Sequence, residues 1–557
     1  GVALAATSTL VAVARLHGAK ERWVATDVPT RIALLRRCVE DLRAAAPGWV
    51  AEAAKAKGHA PGSGGEGEEW LGGPMTTMRN LRLLIEALEA GGRPRPPKLE
   101  RRTDGQWVAS VFPASLKDRA MFAGFTAEVW IEPGKEPTQG RIYRDKEASR
   151  AATGKVALVL GAGNQSSIGP MDLLYKLFVE DEVVILKMNP VNEYVGPFIE
   201  KAFACLVSQG YLQVVYGGAE QGAHLCQHPQ VDTIHITGSE RTHDVIVWGP
   251  DASQHEARKA AGERVNEKPI TSELGAVTPL IVVPGPWSDA DIEFQARHTA
   301  AMVAHNGSFN CNACKVLVLP RQWPLRDRFL AAVREQLRQA QPRKAYYPGA
   351  QQRYDGFLAA YPQAEPLGER TADVVPWTVI PDVPAKAGEY ALTNEAFCGV
   401  LAVVDIDGGD AADFLANAVP FCNDTVWGTL SCMMLVHPTT EKQHARAVDR
   451  AVADLRYGGI GVNVWAGLVY GLVVTTWGAF PGHPLEDIRS GRGVVHNTFL
   501  FDHPQKSVVR APFRIKPTPA WFHDHANLAE LGRRMTEFEA NPSWLGLPAV
   551  AIAGFKG

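Results

Sequence analysis

From Val156 to about Leu455 the sequence alternates short apolar runs with amphipathic ones, and this alternation restricts the fold more than any other feature. Residues 156–160, 182–187, 212–216 and 233–237 are strand-length apolar runs, while 170–179, 197–209 and 221–226 between them read as helices. A strand followed by a parallel neighbour needs a crossover of about this length, so repeated units build a parallel sheet with helices on its faces. The alternation continues through 279–283, 291–304, 316–319, 399–404, 411–418, 430–436 and 441–455. The fold class is therefore α/β. A chain of 557 residues is too long for one compact core, so two or three domains are expected.

Before Val156 the pattern is helical. Asp27 and Pro29 open a run with Ile32, Leu35, Val39 and Leu42 on one face, behind a capping residue and an early proline. Residues 61–69 read as a polar, glycine-rich break, 75–90 as an amphipathic helix, and 91–102 as a Pro/Arg-rich connector. Residues 126–131 alternate as a half-exposed strand that Pro133-Gly134 ends. The charged stretch 252–268 reads as an exposed excursion. Beyond Arg514 a Pro-rich step leads into a helix at 523–538 and an apolar tail, and there is no internal repeat.

Composition excludes some functions. A net charge of −3 gives no electrostatic case for nucleic acid or an anionic membrane surface. Eight irregularly spaced cysteines argue for a reducing compartment, taken here as cytoplasmic, and against a disulfide framework. Residues 2–14 are apolar but lack a preceding basic region and run into Arg15, His17, Lys20 and Arg22, which reads as a helix rather than a leader. The chain starts at Gly1, leaving a processed or truncated start open. Residues 458–482 carry no charge over a length that could span a bilayer, yet Gly459, Gly461, Gly467, Gly471 and Gly478 mark a buried loop-and-strand region, and no membrane partner is expected.

Four places could carry chemistry. The turn Gly161-Ala-Gly163-Asn164-Gln165-Ser166 lies between a buried strand and a helix, where backbone N–H groups can meet a ligand. It departs from the dinucleotide fingerprint, because Ser166 replaces the third glycine and Lys187 stands where an acid is expected. Thr237-Gly238-Ser239-Glu240 is a second such turn, and either turn also reads as a ligand-free βα connection. Glu273, between Ser272 and Leu274-Gly275, is a surface charge or, in an apolar pocket, a general base with a raised pKa. In 305–315, Cys311 sits among Asn, Gly and Ser at the mouth of a strand, where a thiol can be an exposed nucleophile rather than core filling. Cys311 and Cys314 form a C-x-x-C, but only His305 is near for zinc, and a helix before with a strand after is the wrong order for a redox dithiol. No metal is expected.

Taken in order, Asn164, Lys187, Thr237-Gly238-Ser239, Glu273-Leu-Gly275, Cys311-Asn-Ala313 and Glu395-Ala-Phe397-Cys-Gly399 resemble the aldehyde dehydrogenase superfamily over residues 20 to 512. Asn423-Asp-Thr425, Trp427-Gly428, Val462-Asn463 and Trp477-Gly478 add to the match. The resemblance implies an aldehyde dehydrogenase-like fold, with a Rossmann-type cofactor domain, an α/β catalytic domain and a small β oligomerisation arm. The implied divisions are 1–124 (helical part of the cofactor domain), 125–150 (arm strand region), 151–272 (dinucleotide-binding), 273–457 (catalytic), 458–512 (return to the cofactor domain and arm strand) and 513–557 (C-terminal extension). It implies a homodimer or homotetramer in which an arm strand joins a partner's sheet, NAD or NADP as cofactor, and a small-molecule aldehyde as substrate. Catalytic roles fall on Cys311 (nucleophile), Asn164 (oxyanion) and Glu273 (base for water); cofactor contacts fall on Lys187, Gly238, Ser239, Glu395 and Phe397. The product would be a carboxylic acid, reached through a thiohemiacetal and a thioester on Cys311. A coenzyme A-acylating enzyme, or a catalytically silent subunit of the same fold, are the alternatives.

Departures from the family bear on the cofactor. The glutamate expected three residues after Lys187 is Pro190, which removes repulsion from a 2′-phosphate and favours NADP at least as much as NAD. His243 and the 252–268 excursion could crowd the nucleotide. Gln165, Gly169, Asp172, Asn310 and Asn312 fall on the family's substrate tunnel and suggest a polar wall, suited to a polar or bulky aldehyde.

Overall fold

The computed structural model describes residues 2–144 and 153–557, with side chains from residue 8 onward. The end of the expected arm stretch 125–150 therefore lies outside the described residues. Two sheets organise the chain. The smaller has the spatial order Gly491–Arg492, Ile270–Leu274, Thr233–Gly238, Val156–Leu160, Val183–Lys187 and Leu212–Val215. Its last five strands are parallel and run 3-2-1-4-5 in chain order. That is the doubly wound arrangement, in which a crevice opens beyond the carboxyl ends where the order reverses, here between Val156–Leu160 and Thr233–Gly238. The two central strands, Val156–Leu160 and Val183–Lys187, are apolar runs buried almost throughout, as strands of a parallel sheet covered on both faces are.

The larger sheet has eleven strands: Lys98–Arg101, Trp107–Phe112, Thr126–Ile131, Pro504–Arg510, Gly459–Val462, Ser431–Leu435, Pro279–Val282, Val316–Pro320, Val400–Ile406, Thr378–Ile380 and Glu365–Pro366. It is parallel from Pro504–Arg510 to Thr378–Ile380 and antiparallel at both margins. Residues 275–278 carry the chain from the carboxyl end of the smaller sheet to the amino end of the larger, and the candidate residues gather along this seam.

Several expectations need correction. The arm strands exist, but Pro504–Arg510 pairs antiparallel with Thr126–Ile131 and parallel with Gly459–Val462 of the same chain. Both of its edges are paired within this chain. The sheet's free edge on that side is Lys98–Arg101, exposed at every residue, and its Lys98, Glu100 and Arg101 discourage strand addition. Residues 64–70 are no break: Ser63 accepts from Glu66 N and caps a helix, Gly64–Trp70, which passes through a π-turn, Leu71–Met75, into Thr76–Glu89. Strands Lys98–Arg101 and Trp107–Phe112 occupy ground read as connector or left unread. The helix expected at 523–538 is Leu528–Ala540, followed by Leu547–Phe555. Asp27 does cap Val28–Ala56, accepting from Thr30 N. The 272/273 division falls inside strand Ile270–Leu274, and residues 98–131 contribute to the larger sheet. Among the described residues no helix is long and apolar enough to cross a membrane. All eight cysteines are free.

Candidate active site

The segment carrying Cys311 is held in an unusual backbone path. Helix Asp289–Ala304, capped reciprocally by Ser288 and Asp291, stops at His305. Asn306 (φ 54), Gly307 (φ 66) and Ser308 (φ 74) then follow in left-handed conformations. Such residues cost about 1–3 kcal/mol each when they are neither Gly nor Asn, and persist only where the surroundings fix them. Here the fixing is visible. Asn306 N donates to Glu68 Oε1 at 2.9 Å, and Asn306 Nδ2 donates to the carbonyls of Asn164 and Phe309, each at 3.1 Å. Asn310 Nδ2 donates back to His305 O at 2.9 Å. Downstream, the Cys311 carbonyl accepts from Thr278 Oγ1 and Lys315 Nζ. Trp465 Nε1 donates to Asn312 O at 2.8 Å.

A buried lysine ties this segment to the glycine turn. Lys57, at the end of helix Val28–Ala56 and 3% exposed, donates to Asn164 O (2.8 Å) and Asn306 Oδ1 (2.9 Å), and pairs with Glu69 Oε1 at 2.7 Å. Tyr346 OH donates to Asn164 O as well. Glu68 beside it takes a bidentate pair from Arg343. Burial alone would raise the Glu68 carboxyl; the Arg343 charge and hydrogen bonds hold it well below the usual carboxylate range. None of Lys57, Glu68, Glu69, Arg343 or Tyr346 was singled out from sequence, and their separation from Asn164 and Cys311 leaves no local signal.

Asn164, Glu273 and Cys311 line one cavity of about 740 Å³. Glu273 is 3% exposed on the last parallel strand of the smaller sheet, in register with Thr237. Trp477 Nε1 donates to its carboxylate at 3.4 Å, and Cys311 lines the same cavity close enough for the two groups to act on each other electrostatically. Burial pushes the Glu273 carboxyl up to about 7, the Asp172 charge adds to the push, and the bonds from Cys311 and Trp477 oppose it. Burial, then the charge and hydrogen bond of Glu273, push the Cys311 thiol well above its ordinary value. At rest, therefore, the pair is a neutral thiol on a base poised near neutrality. Asn164 Nδ2 gives one proton to Phe309 O at 3.0 Å and has a second to offer. Cys314, by contrast, is fully buried. Among the described residues no group of three His, Cys, Asp or Glu could hold a metal ion.

The polar wall expected of the tunnel is only partly there. Gln165, Asn310 and Asn312 line the cavity, but Gln165 Nε2 donates to Asn310 Oδ1 at 2.9 Å and Asn310 Nδ2 to His305 O, so part of that polarity is turned inward. Gly169 and Asp172 do not line it, and Asp172 accepts from Thr237 Oγ1 instead. Most of the remaining wall is apolar, with Trp465 and Trp477 among it.

The cofactor candidates lie outside that cavity. Lys187 ends Val183–Lys187 beside the crevice; burial lowers its pKa and the Glu193 charge partly restores it. Ser239 accepts from Thr242 N and caps Glu240–Trp248, leaving the first N–H groups of that helix without intrahelical partners. A Cβ at Gly238 would meet only the Ile236 side chain at 3.5 Å, so open space surrounds it. Glu395 Oε2 accepts from Ala276 N and Lys315 Nζ, leaving Oε1 unengaged. Phe397 adopts φ 44 and packs edge-on against Tyr347 at 4.9 Å. His243 is 0% exposed and bonded to Asp244, which also holds Lys259 of the excursion at 3.0 Å, so the ring is turned away from the crevice solvent. The donor set suits a nicotinamide dinucleotide: a cation, a free helix N-terminus at the switch point, and a carboxylate oxygen near the thiol.

Comparison with known proteins agrees with the geometry. The model of the aldehyde dehydrogenase family matches residues 180–352. A peroxisomal aminoaldehyde dehydrogenase 2 of Malus domestica is 31% identical over 169 residues, 30% of this chain and 27% of that protein. The sequence match thus spans about a quarter of that curated relative. Among solved structures, a Mycobacterium tuberculosis aldehyde dehydrogenase complexed with NAD+ superposes with a TM-score of 0.61 at 18% identity, covering 92% of each chain. An NADP-dependent glyceraldehyde-3-phosphate dehydrogenase from Bacillus halodurans, complexed with NADP, gives 0.61 at 17% identity, covering 90% of this chain and 91% of that one. The resemblance drawn from the motifs holds. The chain is an aldehyde dehydrogenase-fold protein carrying that family's sequence signature over 180–352.

Proposed function

We propose that the protein oxidises an aldehyde to a carboxylic acid with NAD or NADP. The observation that carries this reading is one cavity lined together by Cys311, the Asn164 amide and the buried Glu273 carboxylate, whose pKa burial raises to about 7. As sulfur attacks the carbonyl carbon, the thiol proton passes to Glu273 and a C–S bond forms. The carbonyl electron pair moves to oxygen, where the Cys311 N–H and the Asn164 Nδ2–H hold it. When bound, the nicotinamide supplies the hydride acceptor that converts thiohemiacetal to thioester. Glu273, once deprotonated, takes a proton from water, whose oxygen attacks the thioester; the C–S bond breaks and the acid leaves. Lys187, Gly238 and Ser239 would hold the nucleotide, with Glu395 and Phe397 nearer the reacting end. Eight free cysteines suit a reducing compartment such as the cytoplasm.

Cys311→Ser tests the nucleophile: aldehyde-dependent NAD(P)H formation falls at least a thousandfold, while cofactor binding by fluorescence titration persists. Wild-type protein that binds no cofactor and oxidises no aldehyde would instead mark a silent subunit. Product formation only with coenzyme A present would mark an acylating enzyme.

Pro190 opens the 3₁₀ turn Pro190–Val195 after Lys187, so no carboxylate occupies that position. Glu193 is the carboxylate whose charge acts on Lys187, but position 190 adds none, and kcat/KM with NADP at least equals that with NAD. A tenfold preference for NAD in steady-state assays would refute this.

A further inference from the structure

The cavity that begins at Cys311 does not end within the family-like part of the chain. At its other end it is lined by Trp544 and Phe555, which are 56% and 72% exposed. Cys311, Glu273 and Asn164 thus lie at the inner end of a tunnel whose mouth is built from the segment after Arg514. Between mouth and floor this segment contributes Ile515, Pro519 and Trp521, then Leu531 and Met535 from helix Leu528–Ala540, and Val550 from helix Leu547–Phe555. The facing wall is the π-turn Leu71–Met75 with Phe122, Ile168, Leu468 and Leu472.

The segment is anchored rather than draped. Helices Gly64–Trp70 and Leu528–Ala540 cross closely: a Cβ on Gly67 would come within 2.5 Å of the Leu528 backbone, and one on Gly532 within 2.5 Å of Trp70 Cβ. Glu539, 2% exposed, pairs with Arg79 at 3.1 Å and Arg82 at 2.6 Å. Leu528, Leu531, Met535, Phe538 and Val550 form a separate apolar core with Met75 of the π-turn.

Charge along the tunnel narrows what can enter. Besides Glu273, the carboxylate of the lining is Glu539, and two arginines neutralise it. No free carboxylate of the wall awaits a cationic tail, and Lys516 is exposed at the rim, where solvent screens it. Beyond the catalytic end the polar lining is the paired Arg79 and Glu539, two threonines and Lys516, and the rest of the cavity of about 740 Å³, inside the roughly 300–1,000 Å³ range of ligand sites, is largely apolar.

We infer that residues 513–557 form the outer wall of the substrate tunnel and select an aldehyde with a long, uncharged apolar tail. This rests on the function proposed above, and the experiment separates the two. The series propanal, hexanal, nonanal and dodecanal is assayed for kcat/KM, with a trimethylammonium-bearing aldehyde alongside. Expected is a rise with each methylene, up to about fourfold per group, and poor use of the cationic aldehyde. Gly471 lines the tunnel with nothing within 4 Å of a built Cβ, so Gly471→Phe adds a ring in open space. It lowers the dodecanal-to-propanal ratio of kcat/KM at least tenfold, and Ala551→Trp at the exposed rim lowers it in the same direction. A flat series, preference for the cationic aldehyde, or an unchanged ratio in both variants overturns the inference and leaves aldehyde oxidation standing. If no aldehyde is oxidised, tryptophan quenching by 12-bromododecanol, whose bromine is a heavy-atom quencher, still reads the tunnel through Trp465, Trp477, Trp521 and Trp544. Quenching that Gly471→Phe weakens supports it, and absence of quenching overturns it.

Discussion

Glu273→Gln lowers kcat for acid formation by about 10²–10⁴-fold, the usual contribution of a positioned general base. The carboxylate must be ionised to accept the Cys311 proton and later that of water. Because burial has raised its pKa to about 7, wild-type kcat is full above neutrality and falls as pH drops through about 7. The Gln variant loses that limb of the profile along with the rate. A residue that only supported the fold would change the rate without removing the titration, so the pH profile of kcat, measured beside an unchanged denaturant midpoint, checks the assignment. The raised thiol of Cys311 makes a second reading possible in the same experiment. Iodoacetamide alkylates Cys311 more slowly than a free thiol at neutral pH, because the reactive thiolate is scarce until substrate is present.

Lys57→Met is the most damaging substitution away from the reacting atoms. It strands the Glu69 carboxylate, 2% exposed, without its ion pair, and takes a donor from both Asn306 Oδ1 and Asn164 O. Removing one partner of a buried pair costs about 3–5 kcal/mol, measured as a lowered urea midpoint. Activity falls further than stability explains, because the same ammonium fixes the backbone of the oxyanion asparagine and the left-handed path leading to Cys311. The double variant Lys57→Met/Glu69→Gln separates the two effects. Removing the buried charge restores most of the stability, while kcat stays low and KM changes little. Recovery of kcat together with stability would show Lys57 to be structural only.

What could be read from the sequence follows from how local each signal is. Asn164, Glu273 and Cys311 stand at strand ends within short motifs, and the structure brings all three to one cavity. The ammonium joining two of their segments acts across 107 and 249 residues, a distance at which nothing in a single sequence speaks. Residues 64–69 were misread because glycines and acids together look like a solvated turn; Arg343, 275 residues from Glu68, and Lys57 at the end of the preceding helix make Glu68 and Glu69 buried helical residues instead. The arm strands were found, but the sheet they join was not, since a strand's edge pairs equally well in its own chain or another. The tunnel wall was expected to be polar because Gln165, Asn310 and Asn312 are polar, and the hydrogen bond between the first two uses up part of that character.

The position of Pro504–Arg510 between Thr126–Ile131 and Gly459–Val462 sets an order in time. During synthesis the nucleophile segment and the five parallel strands of the smaller sheet are made long before residue 504 emerges, yet the larger sheet remains in two pieces until that strand inserts. Pairings over such sequence distances are slow, because loop closure precedes any gain from contact. The roof over the thiol arrives later still, with helices Leu528–Ala540 and Leu547–Phe555. A nascent chain therefore carries its cysteine uncovered and its central sheet open until residues 504–555 have emerged.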